Sequence, residues 1–218
     1  MKYLKKWRLF ENHDDIHEVC KKYGIENYTI NGDGTIDGDG EKMVNLSYKG
    51  LIKLPLDFNK VGGSFYCHNN NLTSLEGAPK EVGGYFYCRY NKLTSLEGAP
   101  QSVGGYFDCS NNQLTNLEGA PQSIGGEFYC NNNKIMSLKG LEFKSFKFIE
   151  LENNPIQEIV KDWINNDNKE ELIEYFVDMD IIQDNKLIMM RLEAFYEDMD
   201  LEMNIDFNKV KKYYEILE

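Results

Sequence analysis

The sequence predicts an α+β fold: a solenoid of short parallel strands, opened by a helix-and-hairpin cap and closed by a helical cap. Three observations predict it. Between residues 51 and 134 a unit of 21 residues recurs without a slip. Within each unit a stretch such as Phe86-Tyr87-Cys88 alternates by two, the period of a strand with one buried face. The pattern then decays at both ends, as an array must where it meets solvent.

In register the units are LIKLPLDFNKVGGSFYCHNNN (51–71), LTSLEGAPKEVGGYFYCRYNK (72–92), LTSLEGAPQSVGGYFDCSNNQ (93–113) and LTNLEGAPQSIGGEFYCNNNK (114–134). A fifth unit, IMSLKGLEFKSFKFIELENNP (135–155), lacks the Gly-Gly pair but keeps Leu138, Ile149, Leu151 and Asn154 in phase. Upstream, Val44-Asn45-Leu46 is in phase with Phe65-Tyr66-Cys67. These limits divide the chain into an N-terminal cap (1–43), repeats (44–155) and an acidic helical cap (156–218).

Each column has a physical reason. Alternation turns Phe65, Phe86, Phe107 and Phe128 inward, with the cysteine two residues later beside them. Asn70, Asn91, Asn112, Asn133 and Asn154 close each strand, where an inward amide can hydrogen-bond the bend's backbone. Leu72, Leu75 and their equivalents pin the far side of the coil, and Gly77, Pro79, Gly83 and Gly84 mark two bends. Of the five cysteines, Cys67, Cys88, Cys109 and Cys130 follow the repeat and contain no CxxC pair. On successive strands about 4.8 Å apart they are too far from one another for a disulfide or a shared zinc, so they are expected to be buried small hydrophobes.

The stretch holding Leu93, Leu96, Phe107, Cys109, Asn112 and Leu114 resembles the bacterial leucine-rich repeat consensus over roughly residues 44–156. More narrowly, LTSLEGAPQSVGGYFDCSNNQ and the leader YTINGDGTIDGDGEKMVNLS are similar to leucine-rich repeat proteins of tailed bacteriophages. That resemblance implies a leucine-rich repeat solenoid and says little about activity; a phage-encoded chain of this kind is expected to act as an inhibitor or modulator of a host protein. Effector ubiquitin ligases of pathogenic bacteria also carry short repeats, followed by a large catalytic domain with a reactive cysteine. Here no cysteine follows Cys130.

In the N-terminal segment, residues 13–20 open a short amphipathic helix with Ile16, Val19 and Cys20 on one face, expected to pack on the first coil. Asn31 to Asp37 invites comparison with a calcium loop, but the carboxylate positions would fall on Thr29 and Gly40, so a hairpin turning at Asp33-Gly34 is the better reading. His13 and His17 share a helical face without a third ligand, and no metal or cofactor is expected.

After Pro155 four amphipathic stretches follow. Asn154 can cap the first, with Ile156, Ile159, Val160 and Trp163 as its stripe. Residues 169–179, 185–199 and 207–217 carry Leu172, Ile173, Phe176, Leu187, Met190, Leu192, Phe195, Tyr213 and Leu217 at helical spacing. Residues 151–218 hold 18 Asp or Glu against 7 Lys or Arg, hence −11 of the chain's −12, which disfavours direct nucleic-acid binding. No apolar run approaches the roughly 18 residues of a membrane span, and MKYLKKWRLFENHDD lacks a secretory signal's apolar core. The expected location is the cytoplasm, that of the bacterial host if the protein is phage-encoded.

The outward strand positions carry the functional expectation. They are Ser64, Tyr85, Tyr106 and Glu127; Tyr66, Tyr87, Asp108 and Tyr129; and His68, Arg89, Ser110 and Asn131, flanked by Tyr90. They vary between units while the buried columns do not, and Tyr and Arg are enriched in binding hot spots. The expected partner-binding residues are Tyr66, Tyr85, Tyr87, Arg89, Tyr90, Tyr106, Asp108 and Tyr129. With no nucleophile beside a base and no phosphate loop, the expected function is non-enzymatic binding of another protein, without nucleic acid or membrane. The alternatives are an enzyme whose site is hidden in the C-terminal helices, or an acidic mimic occupying a nucleic-acid-binding surface.

Overall fold

The structure, a computed structural model, describes residues 13–38, 40, 42–141 and 145–218, apart from the side chains of His13 and Asp14. The start of the expected N-terminal cap, residues 1–12, and the His13 side chain weighed as a metal ligand lie outside it. Helix α1 (His13–Tyr23) comes first, with Ile16 and Cys20 buried, and leads into the antiparallel hairpin of β1 (Tyr28–Ile30) and β2 (Ile36–Gly38). The turn between them is the expected one, with Gly34 at φ 81° and the Asp33 carboxylate accepting from Thr35.

The repeats then wind into a β-solenoid of about five turns with stacked parallel strands. One six-stranded sheet is all parallel: β3 (Val44–Asn45), β5 (Phe65–Tyr66), β7 (Phe86–Tyr87), β9 (Phe107–Asp108), β11 (Glu127–Tyr129) and β12 (Phe148–Glu150). Its register sets Phe65, Phe86, Phe107, Phe128 and Ile149 side by side. Phe65, Phe86 and Phe107 stack at 5.4–5.5 Å, Phe128 meets Phe107 edge-on at 5.3 Å, and Phe58 and Phe146 close the two ends of the row, also edge-on. The four repeat cysteines are fully buried free thiols, and burial is the main force pushing each thiol pKa up.

The asparagine column does what an inward amide can do. Asn91 Nδ2 donates to the carbonyl of Cys88 in its own turn (2.9 Å) and to that of Cys67 one turn earlier (3.0 Å), while Oδ1 accepts the N–H of Leu72 (2.9 Å). Asn112, Asn133 and Asn154 repeat the pattern and so bind consecutive turns together. Because Asn154 is engaged there, it does not cap the next helix as expected; α2 (Gln157–Val160) is a single turn preceded by Ile156.

A second parallel sheet was not foreseen. Strands β4 (Phe58–Val61), β6 (Glu81–Val82), β8 (Ser102–Val103) and β10 (Ser123–Ile124) extend from the β1–β2 hairpin, with Val61, Val82, Val103 and Ile124 aligned and buried. The Gly-Gly pairs therefore follow a strand, and Gly83 and Gly84 are not among the residues at positive φ. Their constraint is proximity: a Cβ on Gly83 or Gly104 would run into the glycine carbonyl one turn earlier. Gly77, Gly98 and Gly119, by contrast, do turn the chain at positive φ.

The C-terminal region is mixed, which corrects the all-helical expectation. Helices α3 (Lys169–Asp178), α4 (Met189–Asp198) and α5 (Phe207–Val210) alternate with β13 (Ile182–Gln183), β14 (Lys186–Ile188) and β15 (Glu215–Leu217), which form a three-stranded sheet. Met190 and Tyr213, expected inside, are exposed, and Tyr214 is buried instead with its hydroxyl donating to Met136 O (2.7 Å). Trp163 packs against Phe176 and Phe195, each at 5.3 Å. The Asn165 amide pairs with both the N–H and the C=O of Ile149, occupying part of the edge of β12 that would otherwise template another strand. Among the described residues no helix is long and apolar enough to cross a membrane.

Candidate functional site

The outward face of the β3–β12 sheet brings the tyrosines into one connected patch. Tyr66 stacks on Tyr87 (5.1 Å), Tyr87 lies parallel to Tyr85 (5.8 Å), Tyr85 stacks on Tyr106 (5.0 Å), and Tyr106 meets Tyr129 edge-on (6.0 Å). Parallel pairing explains it, because residues one unit apart become neighbours about 4.8 Å apart. The second glycine of each pair makes the room: a Cβ on Gly105 would strike the Tyr85 ring, and one on Gly126 the Tyr106 ring.

Two expected residues behave differently from the rest. Asp108, expected to face solvent, is only 5% exposed. The local cause is polar: its carboxylate accepts from the Ser110 N–H (3.0 Å) and hydroxyl (2.6 Å) and pairs with Arg89 at 3.3 Å. Arg89 in turn lies over the Tyr87 ring, 5.4 Å from its centre. Tyr90 is 51% exposed and not part of the ring stack among the described residues. It sits at φ 53° in a left-handed column whose other members are Tyr48, Asn69, Asn111, Asn132 and Asn153. Asparagine tolerates that conformation and tyrosine does so at a cost, so Tyr90 is a strained, exposed aromatic.

The patch extends further than expected at both ends. Tyr48, also exposed and at positive φ, meets His68 edge-on at 5.4 Å, and His68 lies near Tyr66 and Tyr87. Its sequence signal was available, since 48 is one unit before 69. At the other end the patch turns acidic: Glu127 accepts from the Tyr129 hydroxyl, and Glu150 lies opposite Tyr129 on β12. The bond to Glu127 is the main cause that pushes the Tyr129 pKa up to about 12. Burial, followed by Glu152, Asp108 and Glu127, raises that of Glu150.

No family model, curated protein or solved structure matches the chain. His17 bonds the Tyr28 hydroxyl (2.6 Å), away from the patch, and among the described residues no three metal-type side chains gather. A groove of about 600 Å³ is lined by residues 115–116 and 136–139 on one side and 176–177 and 180–184 on the other. Of its carboxylates, Asp180 is paired to Arg191.

Proposed function

We propose that the chain is a leucine-rich repeat protein that works without catalysis, binding another protein through the tyrosine face of its β3–β12 sheet. The observation that carries this reading is the connected stack from Tyr66 to Tyr129, with Tyr85 40% exposed at its centre. Stacked rings present a large amphipathic surface already ordered before binding, so little side-chain entropy remains to be lost. The family assignment rests on the leucine columns and the inward asparagine ladder. With the phage resemblance of the repeats, it suggests a modulator of a host protein acting in the bacterial cytoplasm.

A second reading is favoured by the −11 charge of residues 151–218: an acidic surface that occupies a basic, nucleic-acid-binding site of its partner. Capture from a bacterial lysate separates the two. On the first reading, Tyr85→Ala with Tyr106→Ala loses the captured protein and raised salt does not. On the second, salt and charge reversal at Glu170, Glu171 and Glu174 release it while the tyrosine variant binds normally. That second outcome would overturn the tyrosine-face assignment.

A further inference from the structure

The repeat supplies an internal comparison for its own surface. In one place a guanidinium is bound by a tyrosine and a carboxylate from adjacent turns: Arg89 lies 5.4 Å from the centre of the Tyr87 ring and 3.3 Å from the Asp108 carboxylate. Tyr87 and Asp108 are partners across β7 and β9. Two 21-residue turns later, Tyr129 stands where Tyr87 stands and Glu150 where Asp108 stands, again as partners across adjacent parallel strands. The residue in the place of Arg89 is Asn131. The ring and the carboxylate are thus repeated, but the chain supplies no guanidinium to join them.

The charge balance differs accordingly. Asp108 has Arg89, whereas among the described residues no ion pair reaches Glu127, Glu150 or Glu152. Glu127 and Glu152 each lie close enough to act on Glu150, and Glu150 and Tyr129 are half-buried, reachable from solvent but partly shielded by the sheet. A cation placed there would meet concentrated negative charge beside an aromatic ring.

We propose that Tyr129 and Glu150 bind an arginine side chain of the partner, its guanidinium set as Arg89 is set on Tyr87 and Asp108. The proposal rests on the protein-binding reading above and names the chemistry of that partner: a protein segment presenting arginine at the acidic end of the tyrosine face. Arginine fits better than lysine because a planar, weakly hydrated fork can lie along a ring while bonding a carboxylate, whereas an ammonium is a compact, strongly hydrated point charge.

The test uses N-acetyl-arginine amide as the probe and side-chain NMR of the full chain as the readout. Saturable shifts are expected at Tyr129 and Glu150, with weaker binding of the lysine analogue. Glu150→Gln should weaken binding about fivefold. Asn131→Arg should abolish it, because the chain then supplies its own guanidinium, and backbone shifts in the unaltered turns check that this variant keeps its fold. Unsaturable shifts shared equally with Glu170, Glu171 and Glu174, or affinity unchanged in both variants, would overturn the assignment. No natural partner is needed, so the two proposals fail separately. Probe binding at Tyr129 and Glu150 with capture indifferent to the Tyr85 and Tyr106 changes would sink the protein-binding reading alone. Capture that depends on those tyrosines without probe binding would sink the arginine assignment alone.

Discussion

The two large sheets are built by the same turns from the same repeat, yet their outer faces differ. On the β4–β10 side the outward positions are Lys60, Glu81, Ser102 and Ser123, short or charged residues with a Lys60–Glu81 ion pair (3.0 Å). The Gly-Gly segment that follows holds consecutive backbones too close for any side chain at Gly83 or Gly104. On the β3–β12 side the same glycine pairs end by opening space, and large rings lie over Gly105 and Gly126. The first glycine of each pair is constrained by backbone contact, whereas the ring-bearing face beyond the second is free of it, which is where a solenoid can place a binding surface without altering its core.

That contrast can be attacked where it is sharpest. Gly104→Val places a branched side chain against the Gly83 carbonyl and should cost about 3 kcal/mol in urea unfolding. Ser102→Ala, two residues earlier, should change stability by less than about 0.5 kcal/mol. Equal effects would mean that the glycine column is not a packing constraint. On the free face the expected losses are smaller and divide by residue. Arg89→Ala leaves a buried Asp108 without its cation, and because Arg89 itself is partly exposed the loss should be about 1 kcal/mol of stability. Tyr85→Ala should leave stability nearly unchanged while weakening binding by about 2 kcal/mol. Arg89 is therefore a poorer probe of binding than its exposed position in the repeat suggests, and Tyr85 a better one.

How much of this was legible in the sequence depended on repetition. Four in-phase copies made the phenylalanine, cysteine and asparagine columns plain, and the structure places them as expected. Val82, Val103 and Ile124 repeat just as well, but a two-residue strand is too short to show alternation, and the glycines beside it give only the signal of a bend. Asp108 falls on an outward position, and the bonds it makes to Arg89 and Ser110 at adjoining positions do not show in the strand's alternation. Past Pro155 there is no repeat to average over, and short apolar pieces such as Lys186–Ile188 and Glu215–Leu217 suit a strand as well as the end of a helix.

Tyr90 ties legibility to function. Adjacent asparagines occupy both positions in Asn69-Asn70 and Asn111-Asn112, so the left-handed role of the first was hidden behind the ladder role of the second. Tyr90→Asn restores the residue suited to φ 53° and should raise stability by about 1 kcal/mol, seen as a higher unfolding midpoint. If the tyrosine is retained for binding, the same change should weaken partner affinity; a variant no more stable than the parent would show that the position carries no strain.

The central claim is that the freely varying sheet face is the one a partner covers. Hydroxyl-radical footprinting of the chain with and without its captured protein tests this most directly, because exposed tyrosines stand both on the face and away from it. The account predicts that Tyr85 and Tyr90 lose labelling on binding while Tyr213, exposed in the C-terminal region, keeps it. Protection of Tyr213 with Tyr85 and Tyr90 labelled as in the free chain would contradict it.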